Sequence, residues 1–364
     1  MKLKLIFTYL FLVGFLASCQ KYEPQKSSSP VAPSIKGQPT DSQKKPEAST
    51  PDTKPDTDST QPPLKETPNA QIELPPSQAL PNEEIICPNQ DPNAKIDQAK
   101  SQKIQHHSIM MGSHLLNYLN STNAQVAVIG RVGRDMSDQS FRYPQIHKYS
   151  HVAFAIRKKN TNIWTTVHLL NTCSGPLSDI YDQGLAIFFM DEMFIYDGYV
   201  MIPSPQLQQK IASMLNDMRP NRQSLPMVLH NNVYSAIAEP FEGRYQNSNQ
   251  WVLAVISAAQ HGSYTRRHAE LSYRNRGFTP SEVYVGLLKS AGKTLDGFIT
   301  GDKFFPNARV DDHSLYERTR SWFKFVSAAS VFDYLARTDP IVLQKELCHP
   351  QGCNRTFDQL LTQK

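Results

Sequence analysis

Apolar residues fall into three regimes along this chain of 364 residues. Two lysines, Lys2 and Lys4, precede a mostly apolar stretch over 5–16. Between 21 and 84 apolar positions neither alternate nor recur at helical spacing. From Ile85 onward both periodicities appear. The pattern predicts helices over 94–119, 206–218, 248–260 and 265–276, the last ending at Gly277, and a short helix over 330–336. In the third of these, Trp251, Val252, Val255, Ile256 and Ala259 recur at helical spacing. Strands are predicted over 124–133, 151–157, 164–170, 198–203 and 321–327, with an extended segment over 233–241. Strands mixed with helices, without regular βαβ alternation, argue for one α+β domain over 85–364.

The segment 151–168 reads as a β-hairpin turning at 158–161. Alternation puts Val152, Phe154 and Ile156 on one face, and His151, Ala153 and Ala155 on the other. On the return strand Ile163, Thr165, Val167 and Leu169 oppose Trp164, Thr166 and His168. Matching the apolar faces about a symmetric turn pairs Val152 with Val167, and His151 with His168. The small Ala153 and Ala155 leave room for something to approach the two imidazoles. Trp164 shares their face and is a candidate cleft floor; a buried aromatic is the alternative.

Composition adds an asymmetry. Half of the 26 prolines lie between 21 and 84, a stretch whose one aromatic is Tyr22. Such a segment has too little to bury and is expected to stay disordered. Stretched as polyproline II it would reach about 200 Å, and as a coil roughly 45 Å. It carries seven lysines against ten acidic residues. The whole chain has a formal charge of +5, too mild and too dispersed for a nucleic-acid binder. No run in the body approaches the roughly 18 apolar residues of a spanning helix.

The sequence Leu16-Ala17-Ser18-Cys19 resembles the lipobox of bacterial lipoproteins. The resemblance implies a signal peptide over 1–18, a diacylated Cys19 and a tether over 19–84. Gln20 in place of Asp implies sorting to the outer membrane, with the domain facing the periplasm. Four cysteines remain: Cys87, Cys173, Cys348 and Cys353. An even count in an exported chain suggests two disulfides with three pairings open. Cys348 and Cys353 enclose a short loop, and their pairing would leave Cys87 with Cys173. Cys173 as a nucleophile is the alternative and needs Cys87 unpaired. No HExxH or Cys/His cluster at ligand spacing appears, so no metal or other cofactor is expected. The run Asp311-Asp312-His313 is a weaker metal candidate, set against an exposed loop with an ion pair.

A second informative stretch is Asn247-Ser248-Asn249-Gln250-Trp251-Val252, at the start of a helix. With His151 and His168 it resembles the order of parts in circularly permuted papain-like proteins, the NlpC-type and lecithin–retinol acyltransferase-like groups. The resemblance implies an antiparallel sheet packed on helices. It also implies Ser248 in the cysteine position, His151 as general base and His168 as its orienting partner. Asn247, Asn249 and Arg131 are pocket candidates. Over roughly 90–340 the chain also resembles the bacterial DUF2145 family. The carrying segments are 131–135, 151–154, 167–173, 184–191, 245–251, 311–313 and 330–332. Ser248 departs from the enzymes' cysteine. A serine hydroxyl is barely ionised near neutral pH and depends on a base during attack.

Two readings follow. One is an amide or ester hydrolase or acyltransferase of the envelope, working through Ser248, His151 and His168. The other is a binding module that keeps a degenerate cleft, with Asn247 or Ser248 capping a helix. Partners would be the membrane through the lipid, with peptidoglycan or an envelope protein as further candidates. Substrate and oligomeric state are not specified by the sequence.

Overall fold

A computed structural model describes residues 97–137, 141–143, 148–171, 175–191, 193–216, 224–285, 297–300 and 303–361. All belong to one unit, 80–364. The expected signal peptide and tether, Cys19, Cys87 and Cys173 lie outside the described residues.

The core is an antiparallel six-stranded sheet between two layers of helices. In chain order the first elements are α1 (Gln98–Asn120), β1 (Val126–Val132), β2 (Phe141–Arg142), β3 (His151–Arg157), β4 (Trp164–Asn171) and β5 (Ser178–Gly184). Then come α2 (Leu185–Phe188), β6 (Ile195–Ile202), α3 (Pro205–Asn216), α4 (Leu225–Val228), α5 (Ser248–His261) and α6 (Arg266–Asn275). The last are β7 (Ser281–Tyr284), β8 (Gly297–Thr300), β9 (Lys303–Pro306), α7 (Leu315–Arg320), β10 (Trp322–Phe325), α8 (Ala328–Thr338), β11 (Leu343–Leu347) and α9 (Phe357–Leu361). The large sheet runs β11-β6-β1-β3-β4-β5. A three-stranded sheet, β10-β7-β2, and a hairpin, β8-β9, complete the strands.

Alternation decides which helix covers which face. Val126, Val128, Val152, Phe154, Ile156, Val167 and Leu169 pack against α3, α5, α6 and α8. Ala127, Ile129, Ala153, Ala155 and Trp164 pack against α1, α2 and α9. Every residue of α5 from Ser248 to Ala259 is buried, as expected of a helix enclosed on all sides. Gly277 ends α6 in the left-handed conformation at φ 73°, where a Cβ would be strained.

The structure corrects three expectations. The β3-β4 hairpin pairs Phe154 with Val167 and Ala155 with Thr166, a register two residues away from the symmetric one. The turn is longer: Lys158 N donates to Ile163 O at 2.8 Å, and Asn160 takes φ 60° inside it. A shift of two preserves facing, so the apolar faces still match. The alanines do not open a free face. Ala153 and Ala155 are fully buried under α1 and α2, which cross so closely that a Cβ on Gly112 would lie 2.6 Å from Ala186 Cα. Finally, 233–241 is not a strand; it forms turns and single bridges, Val233 to Leu177 and Tyr234 to Gln246.

In the run Asp311-Asp312-His313 the first residue is exposed and ion-paired with Arg244 at 2.9 Å, as the loop alternative has it, while the other two form a brace. Asp312 Oδ2 accepts from Glu239 N at 2.9 Å, and buried His313 donates from Nε2 to Ile237 O at 2.7 Å. Among the described residues no three His, Cys, Asp or Glu side chains converge as a metal site. Glu317 caps α7 through Ser314 and faces His313 Nδ1 at 3.6 Å. Burial alone would raise its pKa. The facing His313, with hydrogen bonds from Ser314 and Lys324 N, overcomes that and holds it at about 2. A carboxylate depressed in the folded state stabilises above its unfolded value and loses that contribution as pH falls toward the folded one. Urea midpoints of wild type and Glu317→Gln should therefore differ at pH 6 and converge between pH 4.5 and 2. A gap that persists at pH 2 would refute this account.

Candidate active site

Ser248 opens α5 and His151 opens β3; Asn247 caps the helix, and Asn249 ties its start to the strand. Asn247 is the N-cap: its Oδ1 accepts from Gln250 N at 2.7 Å, while its Nδ2 donates to Val326 O at 3.0 Å. Asn249 reaches the neighbouring strand. Its Oδ1 accepts from Val152 N at 3.0 Å, and its Nδ2 donates to Ser150 O at 3.2 Å. These bonds flank Ser248 and His151 on both sides, so the two side chains meet at a fixed separation.

The meeting is a chain of hydrogen bonds. Ser248 Oγ lies 3.0 Å from His151 Nδ1, and His151 Nε2 lies 3.0 Å from His168 Nδ1. His168 Nε2 lies 3.1 Å from Gln183 Oε1 on β5. The amide oxygen only accepts, so His168 carries its proton on Nε2 and accepts at Nδ1. His151 then donates from Nε2, which leaves Nδ1 to accept from the Ser248 hydroxyl. The register shift makes the histidines diagonal neighbours across β3 and β4, a span that aromatic side chains can bridge. Phe188 of α2 packs against both rings in tilted contacts, at 5.8 Å from His151 and 5.7 Å from His168.

Burial sets the protonation. His151 is 8% exposed, and burial, then the Arg131 charge, then His168 hold its pKa well below the ordinary histidine value. Burial likewise brings His168 to about 4, against an opposing contribution from the Gln183 hydrogen bond. Both imidazoles are neutral at pH 7. The relay ends on an amide, not a carboxylate, so nothing anionic in it favours an imidazolium.

A cleft of about 320 Å³ opens beside Ser248. Arg131, Asn247 and Asn249 line it. Trp164 does not. It faces Arg157 at the turn end of the hairpin, four residues and roughly 13 Å along β4 from His168. There it is buried, and its Nε1 donates to Asn120 Oδ1 at 3.0 Å. Cys348 and Cys353 are joined as a disulfide, in the loop after β11.

Two site residues escaped sequence reasoning. Gln183 sits on a strand that alternation does not mark. Tyr234 lines the cleft, with its phenol near Ser248. Burial raises the pKa of that phenol against the opposing effect of the Ser248 contact, so it remains an O–H donor. The Ser248 and Asn249 N–H groups, in the first turn of α5, have no intrahelical acceptor.

Residues 118–335 match the family described as "uncharacterized protein conserved in bacteria" (DUF2145). No curated protein and no solved structure matches the chain.

Proposed function

The chain belongs to the DUF2145 family, and we propose that this member is an envelope lipoprotein whose papain-like domain performs acyl transfer through Ser248. The observation that carries the reading is the 3.0 Å contact between Ser248 Oγ and His151 Nδ1 at the N-terminus of a buried helix. Ser248 Oγ attacks the carbonyl carbon of an amide or ester while its proton passes to His151 Nδ1. The tetrahedral oxyanion is received by the Ser248 N–H and the Tyr234 hydroxyl. Collapse breaks the acyl C–N or C–O bond, and the leaving group takes the proton from His151. Water or another acceptor then repeats the sequence in reverse. His168 and Gln183 hold His151 in the tautomer that accepts.

The order His151, His168, Ser248 and the helix-borne nucleophile support the papain-like part of this reading. The lipobox-like Cys19 and the proline-rich 19–84 support an outer-membrane anchor with a tether. From there the domain would reach peptidoglycan or envelope proteins. One observation favours a binding module without turnover: the relay lacks a carboxylate, and His151 resists protonation.

A fluorophosphonate probe separates the two. It phosphonylates an activated serine with loss of fluoride. Wild-type protein should be labelled at Ser248, mapped by mass spectrometry, and Ser248→Ala should not be labelled. Folded wild type that stays unlabelled from pH 5 to 9, or carries label elsewhere, overturns the enzyme reading. Ser248→Cys offers a second measurement. Its alkylation by iodoacetamide at pH 7 should outpace that of a free cysteine if His151 takes the thiol proton.

A further inference from the structure

Away from the Ser248 cleft, two histidines fasten α1 to the loop that the disulfide closes. His107 of α1 and His349 of the loop are both buried, and His107 Nδ1 lies 3.2 Å from His349 Nε2. His349 Nδ1 accepts from Gln351 N at 3.2 Å, between Cys348 and Cys353. That bond fixes the tautomers. His349 carries its proton on Nε2 and donates to His107 Nδ1, so His107 is protonated on Nε2 alone. Both accepting nitrogens are thereby occupied by N–H donors. A further proton has to land on His349 Nδ1, against the Gln351 N–H, or on His107 Nδ1, against the His349 Nε2–H. Either choice breaks a hydrogen bond. The pair is not sealed from water, because a pocket of about 480 Å³ is lined by His106, His107 and Gln351.

Independently of the Ser248 reading, we infer that His107 and His349 form an acid-released latch, which on protonation frees the disulfide loop from α1. The surroundings oppose the charge that a proton would bring. Among the described residues, Lys103 and His106 of α1, Tyr196 and Asp197 of β6, and Arg355 beyond the loop face the pair. From α9 the apolar Leu360 lines the adjoining pocket. Asp197 is the one carboxylate in this set, and Lys148 Nζ, His349 N and Asn354 N already occupy it. Burial, then His106 and Lys103, lower the His107 pKa. Burial, then His107, bring His349 to about 4 against the opposing effect of Asp197. Once parted and hydrated, the rings return toward the ordinary histidine value of 6.5. The open form therefore binds more protons between pH 6.5 and 4 and gains population as pH falls through that window. Opening also reaches inward. Helix α1 crosses α2 at Gly112 and Ala186, and α2 carries Phe188 onto the histidine relay.

The test is amide hydrogen exchange of the full chain at pH 7, 6 and 5, followed by mass spectrometry and corrected for the intrinsic rate at each pH. Protection in peptides covering 103–110 and 348–354 should fall about tenfold or more from pH 7 to 5. Protection of β1 over 126–132 should hold, which separates release of the latch from unfolding of the domain. A double variant, His107→Gln with His349→Gln, removes both titrating rings. Its protection in the two peptides, whether high or low, should vary less than threefold over the same range. Should that variant not fold, His349→Gln alone should show a shallower pH dependence than wild type, because one proton fewer is taken up. Wild-type protection that is unchanged down to pH 5 overturns the latch. So does a wild-type loss that β1 shares, or a pH dependence that the glutamine variants retain in full.

Discussion

Replacing His151 by asparagine is expected to slow acylation of Ser248 by roughly three orders of magnitude. Asparagine is close in shape to the near half of the imidazole and still hydrogen-bonds, so the site should stay assembled while losing its base. The size of the effect follows from the nucleophile. A thiol retains some thiolate without help, whereas a serine hydroxyl has to give up its proton during attack. The burial and the Arg131 charge that hold His151 neutral also weaken it as a base. Its acid limb should accordingly lie below pH 6.5 in the pH dependence of fluorophosphonate labelling. The missing carboxylate suggests a companion variant of opposite sign. Gln183→Glu places a negative charge 3.1 Å from His168 Nε2, at the far end of the relay. It should favour the imidazolium form, move the acid limb upward and raise the labelling rate about tenfold. Had the relay run the other way, with His151 donating to Ser248, His151→Asn would leave labelling within a few-fold of wild type. That result would remove His151 from the chemistry.

The parts of this site that were legible in the sequence are those that repeat locally. Strand β3 runs from His151 to Arg157 as alternation requires, because both of its faces are buried and each has its own periodic set. Helix α5 was legible from its start at Ser248, since Asn247 announces the cap. The two-residue register shift was not legible. It depends on how many residues the turn takes, and Asn160 in the left-handed conformation is a property of the closed hairpin. Parity survived the error, so the histidines still share a face. The edge strands β5 and β11 were missed for a common reason. Each pairs on one side alone, and their sequences, Ser-Asp-Ile-Tyr-Asp-Gln-Gly and Leu-Gln-Lys-Glu-Leu, carry the charges that keep sheet edges from pairing with other chains. Gln183 was hidden for that reason. Tyr234 was hidden because a single bridge, not a repeating element, carries it to Ser248.

The largest loss of stability is expected from Asp197→Ala, about 3–5 kcal/mol by urea unfolding. Asp197 is fully buried on β6. Its carboxylate receives Lys148 Nζ at 2.7 Å, His349 N at 2.9 Å and Asn354 N at 2.9 Å. Removing it strands two backbone donors and turns Lys148 into a half-buried cation whose remaining partners among the described residues are Glu346 and Asn354. The same loop is closed covalently by Cys348–Cys353, so the two restraints can be compared. A bridge around so short a loop removes little unfolded-state entropy, about 2 kcal/mol. Asp197→Ala should therefore cost more than Cys348→Ser with Cys353→Ser, although the disulfide is the restraint that sequence inspection finds first. The order also bears on the site. Lys148 stands three residues before His151, and Ser150 Oγ between them accepts from Gly133 N at 2.9 Å. Loss of Asp197 frees the approach to β3, whereas loss of the disulfide leaves Lys148 anchored. Labelling of Ser248, measured well below each variant's melting temperature, should thus fall in Asp197→Ala and hold in the double cysteine variant. Equal stability losses in the two, or labelling lost in the cysteine variant alone, would mean that the bridge and not the buried carboxylate organises this end of the sheet.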